Sequence, residues 1–177
     1  MDEMGLASRV SIAEGDITKL DVEAIVNAAN SRLLPGSGVC GAIHRAAGPE
    51  LAAACEKIYR CPTGEARLTP GFKLKARYVI HAVGPVWNGG GKNEDALLAS
   101  AYRHSLELAR DGTAGSIAFP AISAGTYGFP LARATAIAVK TVTDFLRAHE
   151  LPKQVIFSCF GDNVAALYRK VLADGGL

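Results

Sequence analysis

Val26-Asn27-Ala28-Ala29-Asn30-Ser31-Arg32-Leu33-Leu34-Pro35-Gly36-Ser37-Gly38-Val39-Cys40-Gly41-Ala42-Ile43-His44-Arg45-Ala46-Ala47-Gly48 begins as the end of an apolar strand and ends as a helix. Between the two lie small residues, the amides Asn27 and Asn30, and the glycines Gly36, Gly38 and Gly41. Glycine lets backbone N–H groups approach a ligand with no Cβ in the way. A helix start adds free N–H groups and a partial positive charge. Together they suit phosphate. An ordinary strand-to-helix connection uses the same residues, so spacing alone leaves both readings open.

Outward from this stretch, strands and helices alternate. Arg9 to Ala13 reads as a first strand and Val22 to Val26 as a second. A helix from Val39 to Ala47 stops at Gly48-Pro49, and Pro49 opens another, Glu50 to Tyr59. Glu65 to Thr69 and Tyr78 to Val83 read as strands, and Asn93 is placed to cap a helix from Glu94 to Arg110. Strand Ser116 to Phe119, helix Leu131 to His149, strand Gln154 to Phe160 and helix Val164 to Ala173 complete the chain. This order predicts a single α/β domain over residues 1–177, with a largely parallel sheet covered on both faces.

In such sheets ligands sit beyond the carboxyl ends of strands. Pro120 to Pro130 is a second glycine loop between strand and helix. Its Ser123-Ala124-Gly125-Thr126-Tyr127-Gly128-Phe129 offers successive N–H groups and two hydroxyls, the makings of an anion nest. Neither loop holds the GxxxxGK[ST] of a Walker nucleotidase, and Gly36-Ser37-Gly38 is one residue out of step with GxGxxG. Asp16 caps a short turn or accepts a ligand hydrogen bond. Asn30 is a turn amide or a site residue. Phe160 is a core residue ending a strand or a platform for a base. His81 and His104 read as packing or hydrogen-bonding residues.

The remaining numbers narrow the class. Of 177 residues, 49% are apolar and 20% charged, ordinary globular usage, and the net charge of +2 gives no footprint for nucleic acid or a membrane. No apolar run approaches a membrane span, and the acidic Met1-Asp2-Glu3-Met4 opens no signal peptide. Cys40, Cys55, Cys61 and Cys159 form no CxxC pair and no zinc spacing. Reduced thiols and a cytoplasmic protein without a metal or cofactor are expected.

The opening stretch, with Gly15-Asp16-Ile17-Thr18, Cys61-Pro62-Thr63-Gly64-Glu65-Ala66, Tyr78-Val79-Ile80-His81-Ala82-Val83-Gly84-Pro85 and Ile122-Ser123-Ala124-Gly125-Thr126-Tyr127-Gly128-Phe129-Pro130, resembles macrodomains of the MacroD type, which bind ADP-ribose. The five motifs follow the family's order across nearly the whole chain. The resemblance implies a three-layer α/β/α sandwich with a mixed, mostly parallel central sheet. It implies that Asp16, with the backbone of Ile17, receives the adenine amine, and that Phe160 contacts the adenine face. The diphosphate would lie between the Ser123–Phe129 loop and Gly36, Gly38 and Val39, with Phe129 flanking the distal ribose. Asn27 and Asn30 would lie on the ribose side, with Asn30 near the scissile bond. It implies hydrolysis of distal-ribose linkages, in proteins mono-ADP-ribosylated on Asp or Glu and in O-acetyl-ADP-ribose.

The family's hydrolases carry aspartate where this chain has Cys40. A neutral thiol is a poor base, and three readings follow. Hydrolysis is lost and a reader of ADP-ribose remains; hydrolysis persists through Asn30 and the ligand's own phosphate; or Cys40 acts as a thiolate. A helix start lowers a thiol pKa, and His44 lies one turn on, so Cys40, His44 and Asn30 are the candidate catalytic residues.

Overall fold

The computed structural model describes residues 3–177. Helix α1 (Glu3–Ala7) precedes strand β1 (Val10–Glu14), a 3-10 turn (Ile17–Lys19) and β2 (Ala24–Ala28). Helices α2 (Gly38–Ala47) and α3 (Pro49–Ile58) follow, then β3 (Ala66–Pro70) and β4 (Tyr78–Ala82). The chain continues through α4 (Glu94–Asp111), β5 (Ser116–Phe119), α5 (Leu131–Ala148), β6 (Gln154–Cys159) and α6 (Asp162–Asp174). The six strands form one sheet in the order β1-β6-β5-β2-β4-β3. All neighbours are parallel except β3, which runs antiparallel to β4. The sheet is therefore mixed and mostly parallel, as the alternation of elements requires.

Its two faces follow from the two-residue period of a strand. Ala24, Val26, Ile117, Phe119, Val155 and Phe157 point to the face covered by α1, α4, α5 and α6. Ile25, Ala118 and Val79 point to the other, covered by α2 and α3. Central strands buried on both faces read as continuous apolar runs, which is why β2 and β5 were legible. Helix α1 was not expected; Leu6 in it is fully buried in the larger core. Arg9, read as a strand opener, is buried instead. Its guanidinium donates to the carbonyls of Leu146, His149, Glu150 and Pro152 at 2.6–3.0 Å, closing the C-terminal end of α5. No helix among the described residues is long and apolar enough to cross a membrane.

Asn93 does not cap α4. It adopts a left-handed conformation, φ 64°, with no capping hydrogen bond from its side chain. The carboxylate of Glu94 gathers the preceding loop instead, accepting from the N–H groups of Asn88 at 2.8 Å, Gly90 at 3.0 Å and Lys92 at 2.6 Å. Burial opposes ionisation of this side chain, but the backbone donors outweigh it and hold its carboxyl down at about 2. Because the folded-state value is depressed, the associated stability is present above the ordinary value of 4.5 and is lost as pH falls towards about 2. Glu94→Gln is therefore expected to lower the melting temperature at pH 7. The gap between the two proteins should narrow steadily in thermal melts taken below pH 4.5.

Candidate functional site

The sheet order brings the called residues together. Asp16 follows β1, Phe160 follows β6, the Pro120–Pro130 loop follows β5 and Asn30 follows β2. These are four consecutive neighbours in the sheet, all ending at the same edge. Three inter-strand steps at about 4.8 Å give roughly 14 Å from the first to the last. A cavity of about 840 Å³ runs along this edge. It is lined by Asp16, Ile17, Asn30, Gly36, Gly38, Val39, Cys40, Ser123 to Tyr127 and Phe160. It is also lined by Ala42, Arg45, Gly84, Ser158 and Asn163, which the sequence reading did not single out. Arg45 lies three residues beyond Ala42 on one helix, so the two share the face turned to the cavity.

Backbone donors dominate the middle of the cavity. The side chain of Ser37, the residue preceding α2, makes no capping bond, and the first protein hydrogen bond of the helix is Gly41 N–H to Ser37 O at 3.2 Å. The N–H groups of Gly38, Val39 and Cys40 are left for a ligand or water. Across from them the N–H groups of Gly125, Thr126 and Tyr127 make no hydrogen bond within the protein. That loop is held by Phe129 N–H to Ser123 O at 2.9 Å and Trp87 N–H to Tyr127 O at 2.8 Å. Ser123 itself is left-handed, φ 64°, and its buried hydroxyl has no partner. Two fixed sets of N–H groups facing one space are an anion site that needs no side-chain cation.

At the β1 end, Asp16 caps the turn with one carboxylate oxygen. Its Oδ1 accepts from Thr18 N–H at 2.9 Å and Thr18 Oγ1 at 2.7 Å, and these bonds hold its carboxyl below the usual range. Its Oδ2 takes no protein donor and is available to a ligand amine. Phe160 is 81% exposed and lines the cavity, so it is not a core residue.

At the β2 end, Asn30 Nδ2 donates to Leu34 O at 2.8 Å while its Oδ1 accepts from Leu34 N–H at 3.0 Å. One N–H and one lone pair remain for a ligand. Cys40 is 7% exposed, accepts from Asn27 Nδ2 at 3.6 Å and donates to Leu34 O at 3.6 Å. Behind it Asn27 Nδ2 also reaches His81 Nδ1 at 3.1 Å, and Thr69 Oγ1 lies 3.0 Å from His81 Nε2. Burial, with His44 nearby, pushes His81 down to about 3, so the ring is neutral at pH 7. The network fits one tautomer: His81 accepts from Asn27 at Nδ1 and donates to Thr69 from Nε2.

Three of the called residues are not where the site would need them. Phe129 does not line the cavity; it is 2% exposed, with its ring 4.7 Å from Trp87 beneath the loop. An aromatic that follows a glycine turn and precedes a helix is drawn into the core by its own apolar area. Asn27 lies on the strand and points inward to Cys40 and His81, a support rather than a contact. His44 makes no hydrogen bond to Cys40; both its ring nitrogens are buried without a partner, and it lines a separate, smaller cavity beside α3. The Cys40–His44 pair is therefore not assembled, because the thiol's bonds go to Leu34 and Asn27. Burial also lowers the pKa of His44. His104 Nδ1 donates to Gly64 O, 2.9 Å away, as a structural bond. Among the described residues no group of three or more His, Cys, Asp or Glu is placed to hold a metal ion.

A mixed α/β sandwich with a diphosphate-shaped amide cradle at its sheet edge defines a class of nucleotide-diphosphate-binding domains. Within that class the chain belongs to the Macro domain family, whose sequence profile matches residues 26–138. It is 55% identical over 175 residues to an O-acetyl-ADP-ribose deacetylase of Escherichia fergusonii, covering 97% of this chain and 99% of that one. It is 56% identical over 165 residues to a Macro domain-containing protein of Methanosarcina mazei, covering 93% and 88% of the two. Among solved structures it resembles the Oceanobacillus iheyensis macrodomain with ADP, at a TM-score of 0.87 and 43% identity over 92% of this chain and 89% of that one. The Trypanosoma brucei macrodomain in complex with ADP-ribose gives a TM-score of 0.90 and 41% identity, over 95% of this chain and 71% of that one.

Gly41 tests the cradle without touching its donors. A Cβ there would stand 2.5 Å from the carbonyl oxygen of Gly36, so the Gly36 loop must shift. Gly41→Ala is expected to weaken ADP-ribose binding roughly tenfold, about 1.4 kcal/mol by calorimetry, while the circular dichroism spectrum stays unchanged.

Proposed function

We propose that this protein binds ADP-ribose along the β1-to-β2 edge and hydrolyses acyl esters on its distal ribose. The substrates would be O-acetyl-ADP-ribose and proteins mono-ADP-ribosylated on Asp or Glu. The observation that carries this reading is the pair of amide sets, Gly38–Cys40 and Gly125–Tyr127, lining the one cavity that also holds Asp16 and Asn30. That arrangement matches a nucleotide diphosphate with adenine at one end and the second ribose at the other. The names of relatives above 50% identity and near full length support the same activity. The ligand needs no cofactor, and four free thiols suit a cytoplasmic setting.

Hydrolysis then runs without a protein carboxylate at position 40. A water held by the free N–H or lone pair of Asn30 adds to the acyl carbon. The bond between the acyl carbon and the ribose oxygen breaks, the ribose oxygen leaves and gains a proton, and the acyl group departs as the acid, whose remaining proton passes to solvent as the carboxylate forms. A diphosphate oxygen of the ligand receives the water's proton and returns it to the ribose oxygen, since Cys40 is engaged as a donor to Leu34 and as an acceptor from Asn27. The cradle amides stabilise the charge on that diphosphate throughout. A neutral, hydrogen-bonded thiol in the place of a base equally suits a reader that binds without turnover, and kinetics separate the two.

Turnover of O-acetyl-ADP-ribose, followed by acetate release, is the test. Asn30→Ala is expected to lower kcat on the order of 100-fold through loss of water positioning. Cys40→Ala should leave kcat within about threefold, because the thiol is no base here. No turnover by the intact protein, with tight ADP-ribose binding and activity gained in Cys40→Asp, would make it a reader.

A further inference from the structure

Nearly every arginine of this chain is spoken for. Arg67, Arg77, Arg103, Arg110, Arg133, Arg147 and Arg169 lie 2.6–3.6 Å from a carboxylate. Arg9 is bound by backbone carbonyls. Among the described residues, no carboxylate partner or side-chain hydrogen bond is recorded for Arg32, Arg45 or Arg60, and all three are exposed. Arg45 lines the cavity itself. Arg32 and Arg60 do not; they stand outside its β2 end. Ser31 O accepts from Cys61 N–H at 2.9 Å, which fixes the chain at Arg32 beside the chain at Arg60. The same loop is tied to the site by the two Asn30–Leu34 bonds.

Apolar surface accompanies these cations. Leu34 is 53% exposed and Tyr59 66%, two of the four large apolar side chains left open among the described residues. Tyr59 ends α3 with φ 78°, a left-handed conformation that favours glycine. Its ring is nonetheless displayed, with the guanidinium of Arg60 5.3 Å from the centroid. Glu56 and Lys57, on the last turn of α3, offset one another, so the net charge of the patch is that of the two arginines. An aromatic and an aliphatic side chain flanked by unpaired arginines is a composition suited to binding a polypeptide.

We propose that Arg32, Leu34, Tyr59 and Arg60 form a docking surface for the acidic polypeptide segment that carries the ADP-ribosylated carboxylate. The inference rests on the function proposed above, which puts the distal ribose, and hence the emerging polypeptide, at the Asn30 end. Charge complementarity selects the occupant. A chain modified on Asp or Glu in an acidic stretch presents carboxylates on either side of the linkage, and two uncommitted guanidinium groups lie outside that mouth. O-acetyl-ADP-ribose carries no polypeptide and leaves the surface empty.

The experiment compares the intact protein with the double variant Arg32→Ala/Arg60→Ala on three ligands. They are O-acetyl-ADP-ribose, a glutamate-rich peptide mono-ADP-ribosylated on one glutamate, and the same peptide with its flanking glutamates replaced by glutamine. The double variant should raise KM for the acidic peptide roughly three- to tenfold, as two exposed ion pairs allow, with kcat unchanged. Its kinetics on O-acetyl-ADP-ribose and on the neutral peptide should match the intact protein's. Added salt should raise KM for the acidic peptide in the intact protein and much less in the variant. Equal KM values for the two proteins on the acidic peptide overturn the proposal. If the intact protein turns over none of these ligands, the proposed hydrolysis fails. Docking is then read as affinity: the acidic peptide should bind more tightly than free ADP-ribose in the intact protein only, and equal affinities overturn it. Arginine-dependent binding of an ADP-ribosylated oligonucleotide, with no gain for the acidic peptide, would overturn it as well.

Discussion

Backbone N–H groups that find no acceptor inside a protein must meet water or a ligand, and this fold gathers two sets of them at one place. Parallel pairing of β2 with β5 sets the loop after each strand beside the other. Each loop enters a helix whose first turn is left open by the absence of a side-chain cap. Side chains packed behind the second loop hold its amides in place. Trp87 and Phe129 pack at a tilt of 54° beneath the second loop, and Arg133 lies 5.2 Å over the Trp87 ring while gripping Asp95 with two hydrogen bonds. Glu94 ties the neighbouring loop to the start of α4. A diphosphate held this way meets dipoles already oriented, so binding costs little reorganisation.

Cys40 shows how a site residue is set by what lies behind it. The thiol's donor goes to Leu34 and its acceptor to Asn27, whose second N–H goes to the neutral ring of His81. Burial pushes the thiol of Cys55, beside the same ring, up to about 11. The pocket behind the β2 end is thus a chain of hydrogen-bonded groups around a neutral imidazole, in which the buried Oδ1 of Asn27 alone finds no partner. Such an environment penalises charge and gives no general base. If the reaction runs here, the negative charge that drives it is brought by the ligand.

Part of this was visible in the residues. The glycine loops, the amide of Asn30 after β2 and the alternation of elements placed the cavity at the correct edge, because glycine spacing and apolar period are local properties. The roles of Asn27, Phe129 and His44 were not visible. Whether a side chain beside a turn faces the ligand or the core depends on the layer packed beneath it, and that layer is assembled from distant segments. Phe129 meets Trp87, Asn27 meets His81, and His44 is enclosed between α2 and α3 with its nitrogens unpaired. Asn93 failed as a cap for a similar reason. Its left-handed backbone comes with no capping bond, and the carboxylate one residue later binds amides of the preceding loop rather than those of the helix start.

The sequence alone determined the order of strands and helices, the two glycine turns and the absence of aspartate at position 40. These depend on residues within a few positions of each other and on the steric rules of the backbone. Only the tertiary structure decided that β1, β6, β5 and β2 stand in that order, so that Asp16 and Asn30 face one cavity from opposite ends. It alone decided that Cys40 is bonded to Asn27 rather than to His44. It also left Arg32 and Arg60 side by side without carboxylates. Contacts between segments far apart in the chain form only when the whole core closes, and no local rule specifies which partner wins.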